Sequence, residues 1–389
     1  MLTIPNRYMI NLSKSMFRNL KKIKQVATKN KKLHIVGIVG VPGNYGGFET
    51  LVDNLLDSNK LKFLDVYVYC EKFFLLKNHS SVKYKDAHLI PINLKANGWQ
   101  SILYDLIGMI YGCCAGGTIL VLGTSATFAV PMLRLFFPKT KFLVNMAGLE
   151  WSRSKWNMPT RNFLKFNERM AAKYSDILIT DNEGLSEHVL TDYKCTSVYI
   201  PYGGDQFLNV DANHQVFEEY AIPESYDFAM ARAQIDNNIE VILDAYIEMN
   251  RCIVFVSNWS NNEYGKKVTQ KYKKYKNIFL IGPIYDVSKI KALHTKTMFY
   301  IHGHSAGGTN PVLVESMWSK LPVVAYDVTF NRYTTGNYAI YFNNSEDLKE
   351  ILTLRRYNSE SAYVEKMWQK ANQTYVWDKI IKSYEEIIL

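Results

Sequence analysis

The chain has 389 residues, 48% of them hydrophobic and 14% aromatic, enough to bury two cores and too long for one ordinary domain. Its five cysteines, Cys70, Cys113, Cys114, Cys195 and Cys252, are odd in number and form no CxxC pair, which argues against a disulfide-stapled secreted scaffold and for a reducing cytosol. A formal net charge of +10 suits an anionic membrane face, anionic substrates or nucleic acid, and does not choose among them.

Residues 1–32 read as an addition to the fold. From residue 7 onward the apolar Met9, Met16, Leu20 and Ile23 recur at helical spacing among Lys14, Arg18, Lys21, Lys22 and Lys24, a basic amphipathic pattern. Such a helix either lies on anionic lipid or is simply solvated. No compact uncharged run with a small-residue cleavage site follows, so a secretory leader is not expected.

Regular structure is predicted from residue 33. The apolar run 33–40 suits a buried parallel strand, and the glycine loop 41–47 leads into the helix-period segment 48–56. Strand, glycine loop and helix make a nucleotide-binding start, although the spacing is not the GxGxxG of dinucleotide folds. Residues 65–70 and 87–92 supply two more strands. Between Leu106 and Leu133 no formally charged residue occurs, a span long enough to raise a transmembrane helix. Gly108, Gly112, Gly116, Gly117 and Gly123 interrupt it, so a helix to Cys114, a buried strand over 118–122 and a new helix after Ser125 are predicted instead.

Residues 141–156 begin as a strand and end in a loop crowded with polar, cationic and aromatic groups, where an α/β sheet presents side chains to ligands. Trp151 and Trp156 can stack on a sugar ring, Glu150 can bind hydroxyls or act as a base, and Arg153 and Lys155 can meet phosphate. The competing reading is a turn with surface charges and two core tryptophans. Further strand-to-loop units follow at 175–182 and 197–205, and the polar stretch 209–223 reads as a linker. A second series then runs through a strand ending at Arg232, a helix over about 238–249, and strands at 252–257, 278–281, 297–301 and 322–325 with a helix between each. The alternation predicts parallel sheets, hence an α/β chain of two doubly wound domains, 33–207 and 208–364, facing one another.

Residues 302–318 carry the sharpest chemistry. A strand runs into His302-Gly303-His304-Ser305-Ala306-Gly307-Gly308-Thr309-Asn310-Pro311 and then a helix-period segment. Two adjacent glycines let backbone N–H groups approach a ligand, Pro311 suits a first helical position, and the helix N-terminus attracts anions. Glu315, one turn in, can accept from sugar hydroxyls while the loop holds diphosphate, which suggests a nucleotide sugar. His302 and His304 alternate along a strand end, so that one is expected to face the cleft: His304 as part of the donor loop, His302 as packing. His188 reads as ordinary surface. No zinc spacing stands out.

Gly46-Gly47-Phe48-Glu49, the segment 145–156, Tyr199-Ile200-Pro201-Tyr202-Gly203, Ile281-Gly282-Pro283-Ile284-Tyr285-Asp286 and the 302–315 stretch together resemble bacterial rhamnosyltransferases of the retaining glycosyltransferase family four, from about residue 33 to the C-terminus. The resemblance implies the GT-B fold, two Rossmann-like domains about a central cleft, with a last helix over about 365–389 crossing back to complete the first. It implies transfer of L-rhamnose from dTDP-rhamnose to a lipid-diphosphate-linked saccharide in capsule or O-antigen assembly. The expected setting is the cytoplasmic face of the inner membrane, with no metal and no cofactor beyond the donor.

By residue, Gly46 and Gly47 would face the donor diphosphate and Arg232 would pair with it. His304, Gly307, Gly308, Thr309 and Asn310 would form the donor loop, and Glu315 would bind the ribose. Glu150, Trp151, Arg153, Lys155 and Trp156 would line the acceptor side, with Arg232, Glu150 and Asn145 as the candidate catalytic residues. Three positions depart from the family pattern: Gly307 replaces the first of two glutamates, Asn237 replaces a lysine unless Lys266 or Lys267 compensates, and Ala147 replaces an acid. They leave open a UDP- or GDP-hexose donor, or a non-catalytic sugar-nucleotide-binding scaffold. No aromatic-basic RNA motif or recognition helix points to nucleic acid.

Overall fold

The structure, a computed structural model, describes residues 31–43, 46–78, 82–146, 148–153, 155–354 and 361–389. Most of the basic N-terminal extension and Ala147 therefore lie outside the described residues.

Two sheets organise the chain. The first contains β1 (Lys32–Val36), β2 (Asp65–Glu71), β3 (Lys83–Tyr84), β4 (Ala87–Ile92), β5 (Thr118–Leu122), β6 (Lys141–Met146), β7 (Ile177–Thr180) and β8 (Val198–Tyr199), in the order β3-β4-β2-β1-β5-β6-β7-β8. The second contains β9 (Tyr226–Met230), β10 (Ile253–Val256), β11 (Ile278–Ile281), β12 (Thr297–His302), β13 (Val323–Tyr326) and β14 (Ile340–Phe342), in the order β11-β10-β9-β12-β13-β14. Every pairing is parallel except the short antiparallel β3–β4 hairpin. The central strands are covered on both faces, which is why they read as continuous apolar runs: Leu33, Ile35 and Val36 are fully buried, as are Ile253 and Val254. Each sheet separates two apolar clusters, one per face, so both halves are doubly wound.

In each sheet the strand order reverses between the first strand and its later neighbour, β1 beside β5 and β9 beside β12. Ligands of open α/β sheets sit outside the carboxyl ends of the strands at that reversal. The loop after β1 carries Gly46 and Gly47, while the loops after β9 and β12 carry Arg232 and residues 303–310.

The uncharged span divides as expected into the helix Gln100–Ala115, β5 and the helix Val130–Phe136. Among the described residues no helix is long and apolar enough to cross a membrane. Two strands were not foreseen: β3, only two residues long beyond a turn at Lys85 (φ 50°), and β14, three residues at a sheet edge. Both are too short for a period to show. The stretch expected to be linker contains the helix Gln215–Glu219, whose Val216 is buried in the second half.

The helix Ser361–Thr374 packs Met367 and Ala371 into the second half, and Tyr375 follows them. The helix Trp377–Ile388 instead buries Trp377, Ile380, Tyr384 and Ile388 beside Leu33 and Ile35 of the first. The return thus begins at Val376, not near residue 365.

Candidate functional site between the two halves

The helix Pro311–Trp318 has proline at its first position, and Asn310 caps it by accepting from the Val312 N–H at 3.0 Å. The glycine loop before it lies against the first half. A Cβ on Gly47 would come 3.5 Å from Pro311, and one on Gly148 only 2.6 Å from the Gly307 carbonyl carbon. Gly46 precedes the helix Gly47–Leu55 as its N-cap. Gly47 of the first half thus lies beside Pro311, and Gly148 beside Gly307, across the cleft.

Beside that contact a pocket of about 590 Å³ opens between the halves, lined by Gly184 of the first and Ser305, Asp327, Phe330, Arg332 and Asn343 of the second. It is open, and none of Gly46, Gly47, Arg232, Gly307, Gly308, Thr309 or Glu315 lines it.

The glycine loop before the helix Pro311–Trp318 is held by a residue pair to which the sequence assigned no role. Asp181 and Asn182 follow β7, at the carboxyl edge of the first sheet. The Thr309 hydroxyl donates to the Asp181 carbonyl, and Asn182 Nδ2 donates to Thr309 Oγ1 (3.4 Å), Phe330 O (3.2 Å) and Thr334 Oγ1 (3.1 Å). The Asp181 carboxylate presses on Gly308 so closely that a Cβ there would lie 1.9 Å from Oδ1. Only glycine fits. Asp181 is buried with Oδ1 unpartnered, and burial pushes its carboxyl up to about 7 against the Thr309 N–H. A polar residue at a strand's carboxyl end in the motif Thr180-Asp181-Asn182-Glu183-Gly184 was the signal available in the sequence.

Arg232 follows β9, exposed, with no ion-pair partner among the described residues; its charge acts on Glu49 and His304. Glu49 is buried and accepts from the Val39 N–H at 3.0 Å; burial raises its carboxyl while that bond and Arg232 oppose the rise. The missing lysine at Asn237 is not made up by Lys266, which is exposed and pairs with Glu263 at 2.7 Å. The second cation near the loop is Arg153 of the first half. It reaches across to Asp236 at 3.5 Å and Gln234 at 3.4 Å and, like Arg232, lowers His304, after the larger effect of burial and that of His302.

The two histidines correct the sequence reading. Residues i and i+2 share a strand face, so His302 and His304 stack together, ring centroids 4.5 Å apart and 14° from parallel. His302 Nδ1 and the Tyr300 hydroxyl pair at 3.2 Å, while the buried Nε2 of His302 and the buried Nδ1 of His304 have no partner among the described residues. Glu315 is partly buried; burial pushes its carboxyl up to about 8, opposed by a bond from Gln206 Nε2 at 2.7 Å.

The expected acceptor loop is largely occupied with itself. Glu150 accepts from Arg153 Nε (2.5 Å), Lys155 Nζ (3.0 Å) and Trp156 Nε1 (3.2 Å), so both its oxygens are engaged and it does not present a free base. The Trp151 indole donates to Glu168 at 2.9 Å and turns onto the helix Met158–Tyr174, so this ring packs against the protein and is not displayed to a sugar. Asn145 is 1% exposed and donates to the Tyr384 hydroxyl at 2.6 Å, which places it under the returning C-terminal helix, beyond a substrate's reach. His188 is not ordinary surface either: with Trp151 and Tyr193 it completes the shell of buried Glu168, its Nε2 2.7 Å from Oε1.

Comparison with known proteins agrees with this architecture. A family model described as a domain of unknown function, DUF1972, matches residues 30–205, less than half of the chain. No curated protein sequence matches. Among solved structures, sucrose-phosphate synthase from Thermosynechococcus elongatus is 13% identical, with 92% of this chain and 98% of that one covered and a TM-score of 0.74. HepE from Anabaena, in complex with UDP-glucose, is 13% identical over 92% and 99% of the two chains, with a TM-score of 0.69. The N-terminal domain of trehalose-6-phosphate phosphatase from Candida albicans is 11% identical over 93% and 97%, with a TM-score of 0.64. At such identities the likeness speaks for the fold alone, and the fold is GT-B: two Rossmann-like halves facing a central cleft.

Proposed function

We propose that the chain is a retaining glycosyltransferase that takes a sugar from a nucleoside-diphosphate donor held at the 307–311 loop. The observation carrying this reading is the Asn310-capped helix start against Gly47 and the glycine loop against Gly148 across the cleft, with Arg232, which has no ion-pair partner among the described residues, acting on the same loop. Backbone N–H groups, helix dipole and a free guanidinium are the elements that hold a diphosphate and stabilise it as it departs. HepE, of similar fold, is seen with UDP-glucose.

In the reaction the bond from sugar C1 to the diphosphate breaks and one from C1 to an acceptor oxygen forms on the same face, the acceptor's proton passing to the leaving diphosphate. The chain's share is then positioning and charge stabilisation, without a separate protein base. The occupied carboxylate of Glu150 agrees with that division of labour. More narrowly, we propose dTDP-rhamnose as donor, without a metal, and a lipid-diphosphate-linked saccharide as acceptor. The basic extension and the net charge of +10 would keep the enzyme at the cytoplasmic face of the inner membrane.

The test is a thermal-shift panel of dTDP-, UDP- and GDP-sugars followed by turnover with membrane-lipid acceptors. A donor that raises the melting temperature and loses its sugar to lipid is the expected result; no shift with any donor would refute the reading. A second reading, a sugar-nucleotide-binding scaffold, draws on the burial of Asn145 and the engagement of Glu150. Binding without transfer would favour it.

A further inference from the structure

The anion site at the start of the helix Pro311–Trp318 already faces an anion of the protein's own. Asp181, from the opposite half, is 3% exposed, touches Gly308, and keeps Oδ1 without a partner. Among the described residues it has no ion-pair partner, so no cation offsets its charge. Several elements pack around it. The glycine loop offers the Thr309 N–H; β8 and the loop after it bring Tyr199 and Tyr202; the returning C-terminal helix brings Tyr384. The helix Thr329–Thr335 turns Phe330 O and Thr334 Oγ1 to neighbouring Asn182 and adds no charge there. These are neutral groups around a carboxylate.

A diphosphate drawn to the N–H groups of this loop would share them with that carboxylate, which packs on Gly308 and bonds the Thr309 N–H. Arg232 offsets the charge of the diphosphate itself, but no cation acts on Asp181, so a diphosphate brought beside this carboxylate is unfavourable unless the carboxylate withdraws or is neutralised. Withdrawal is opposed by the backbone. The Asp181 carbonyl holds the Thr309 hydroxyl, the preceding Thr180 carbonyl accepts from Ile200 N at 2.9 Å, and the Asn182 carbonyl accepts from Leu185 N at 3.0 Å. Neutralisation needs only a proton, and the unpartnered oxygen is where a carboxylic O–H would point at a phosphate oxygen.

We propose that a nucleoside-diphosphate donor binds at the 307–309 loop together with one proton, taken from solvent onto the Asp181 carboxyl, which then serves as a neutral hydrogen-bond donor to the diphosphate. This rests on the donor reading above and adds to it a residue and a proton. The burial that already raises Asp181 acts in the same direction, and a nearby diphosphate raises it further.

The experiment is isothermal titration of the full chain with UDP-glucose and dTDP-glucose, whose diphosphate diesters keep their charge across neutral pH, in two buffers of different ionisation enthalpy. Above pH 7 the wild type should take up close to one proton per donor bound, and its affinity should fall about tenfold per pH unit where the free carboxyl is ionised. Asp181→Asn, whose amide still donates, should bind without proton uptake and with an affinity flat from pH 6 to 9. Asp181→Ser serves the same purpose if the asparagine variant does not fold. Glu315→Gln, which removes the other raised carboxyl near the loop, should leave the uptake in place. Donor binding without uptake in the wild type, or uptake that persists in both Asp181 variants or disappears in Glu315→Gln, overturns the proposal and leaves the donor site standing. Failure of these two and of every other dTDP-, UDP- and GDP-sugar of the panel, dTDP-rhamnose included, to bind overturns the two together.

Discussion

The loops that meet across the cleft differ in how completely their polar groups are matched. In residues 148–156 nearly every charge has a partner inside the same half: Glu150 with Arg153, Lys155 and Trp156, and Glu168 with Trp151, His188 and Tyr193. Around residues 302–311, by contrast, His302 Nε2, His304 Nδ1 and Asp181 Oδ1 are buried without partners, and Arg232 has no carboxylate in ion-pair range among the described residues. Buried polar atoms are rarely left unmatched without cause. The first loop is already a finished piece of structure; the second has capacity left for a ligand. Chemical richness in a sequence therefore does not by itself mark the site, since the loop densest in charge and tryptophan is the one that satisfies itself.

The contrast breaks most sharply at Arg232. Arg232→Ala should weaken binding of the donor identified by the panel on the order of a hundredfold while leaving the melting temperature of the free protein nearly unchanged, because its side chain is exposed and has no ion-pair partner among the described residues. Equal losses of stability and affinity would show that Arg232 belongs to the scaffold. Glu168→Ala is the opposite case. It strands the Trp151, His188 and Tyr193 donors in a buried setting, and chemical denaturation should report a loss of about 3 kcal/mol. Donor affinity of the folded fraction should change little.

The fold was legible because buried parallel strands and amphipathic helices alternate with distinct periods, and the central strands are long enough to show theirs. β3 and β14, with two and three residues, carry no such signal. The glycine loop before the helix Pro311–Trp318 was legible because glycine pairs, an Asn-Pro helix start and a strand before them are local features. Asp181 and Asn182 matter only through contact with residues more than a hundred positions later, and Asn145 is removed from the cleft by Tyr384 arriving from the C-terminal helix. No local pattern encodes such pairings. Trp151 and Trp156 illustrate the same point from the other side: tryptophan and cations on a loop are equally the ingredients of a sugar platform and of a self-packed turn, and Glu168, buried on the next helix, decides for Trp151.

Two further effects sharpen the comparison. Burial raises Asp181 to about 7, while the same carboxyl in the unfolded chain titrates near 4, so the unfolded state gives up its proton first as pH rises. This group therefore costs stability progressively from about pH 4 to 7 and the full amount above that. Asp181→Asn should accordingly be more favourable to stability at pH 8 than at pH 4, by about 4 kcal/mol, while any cost of imperfect amide pairing applies equally at both. Denaturant melts at the two pH values measure the difference, and a gain of equal size at both would mean that the carboxyl is ionised throughout. At the other extreme is Lys155, which is 40% exposed as a side chain and bonds a Glu150 that also has Arg153 and Trp156. Lys155→Ala should cost less than about 0.5 kcal/mol, because solvent screens the pair and the carboxylate keeps its other donors. A loss several times larger, read by the same melts, would mean that the loop's partners act as one cooperative unit and not as separate contacts.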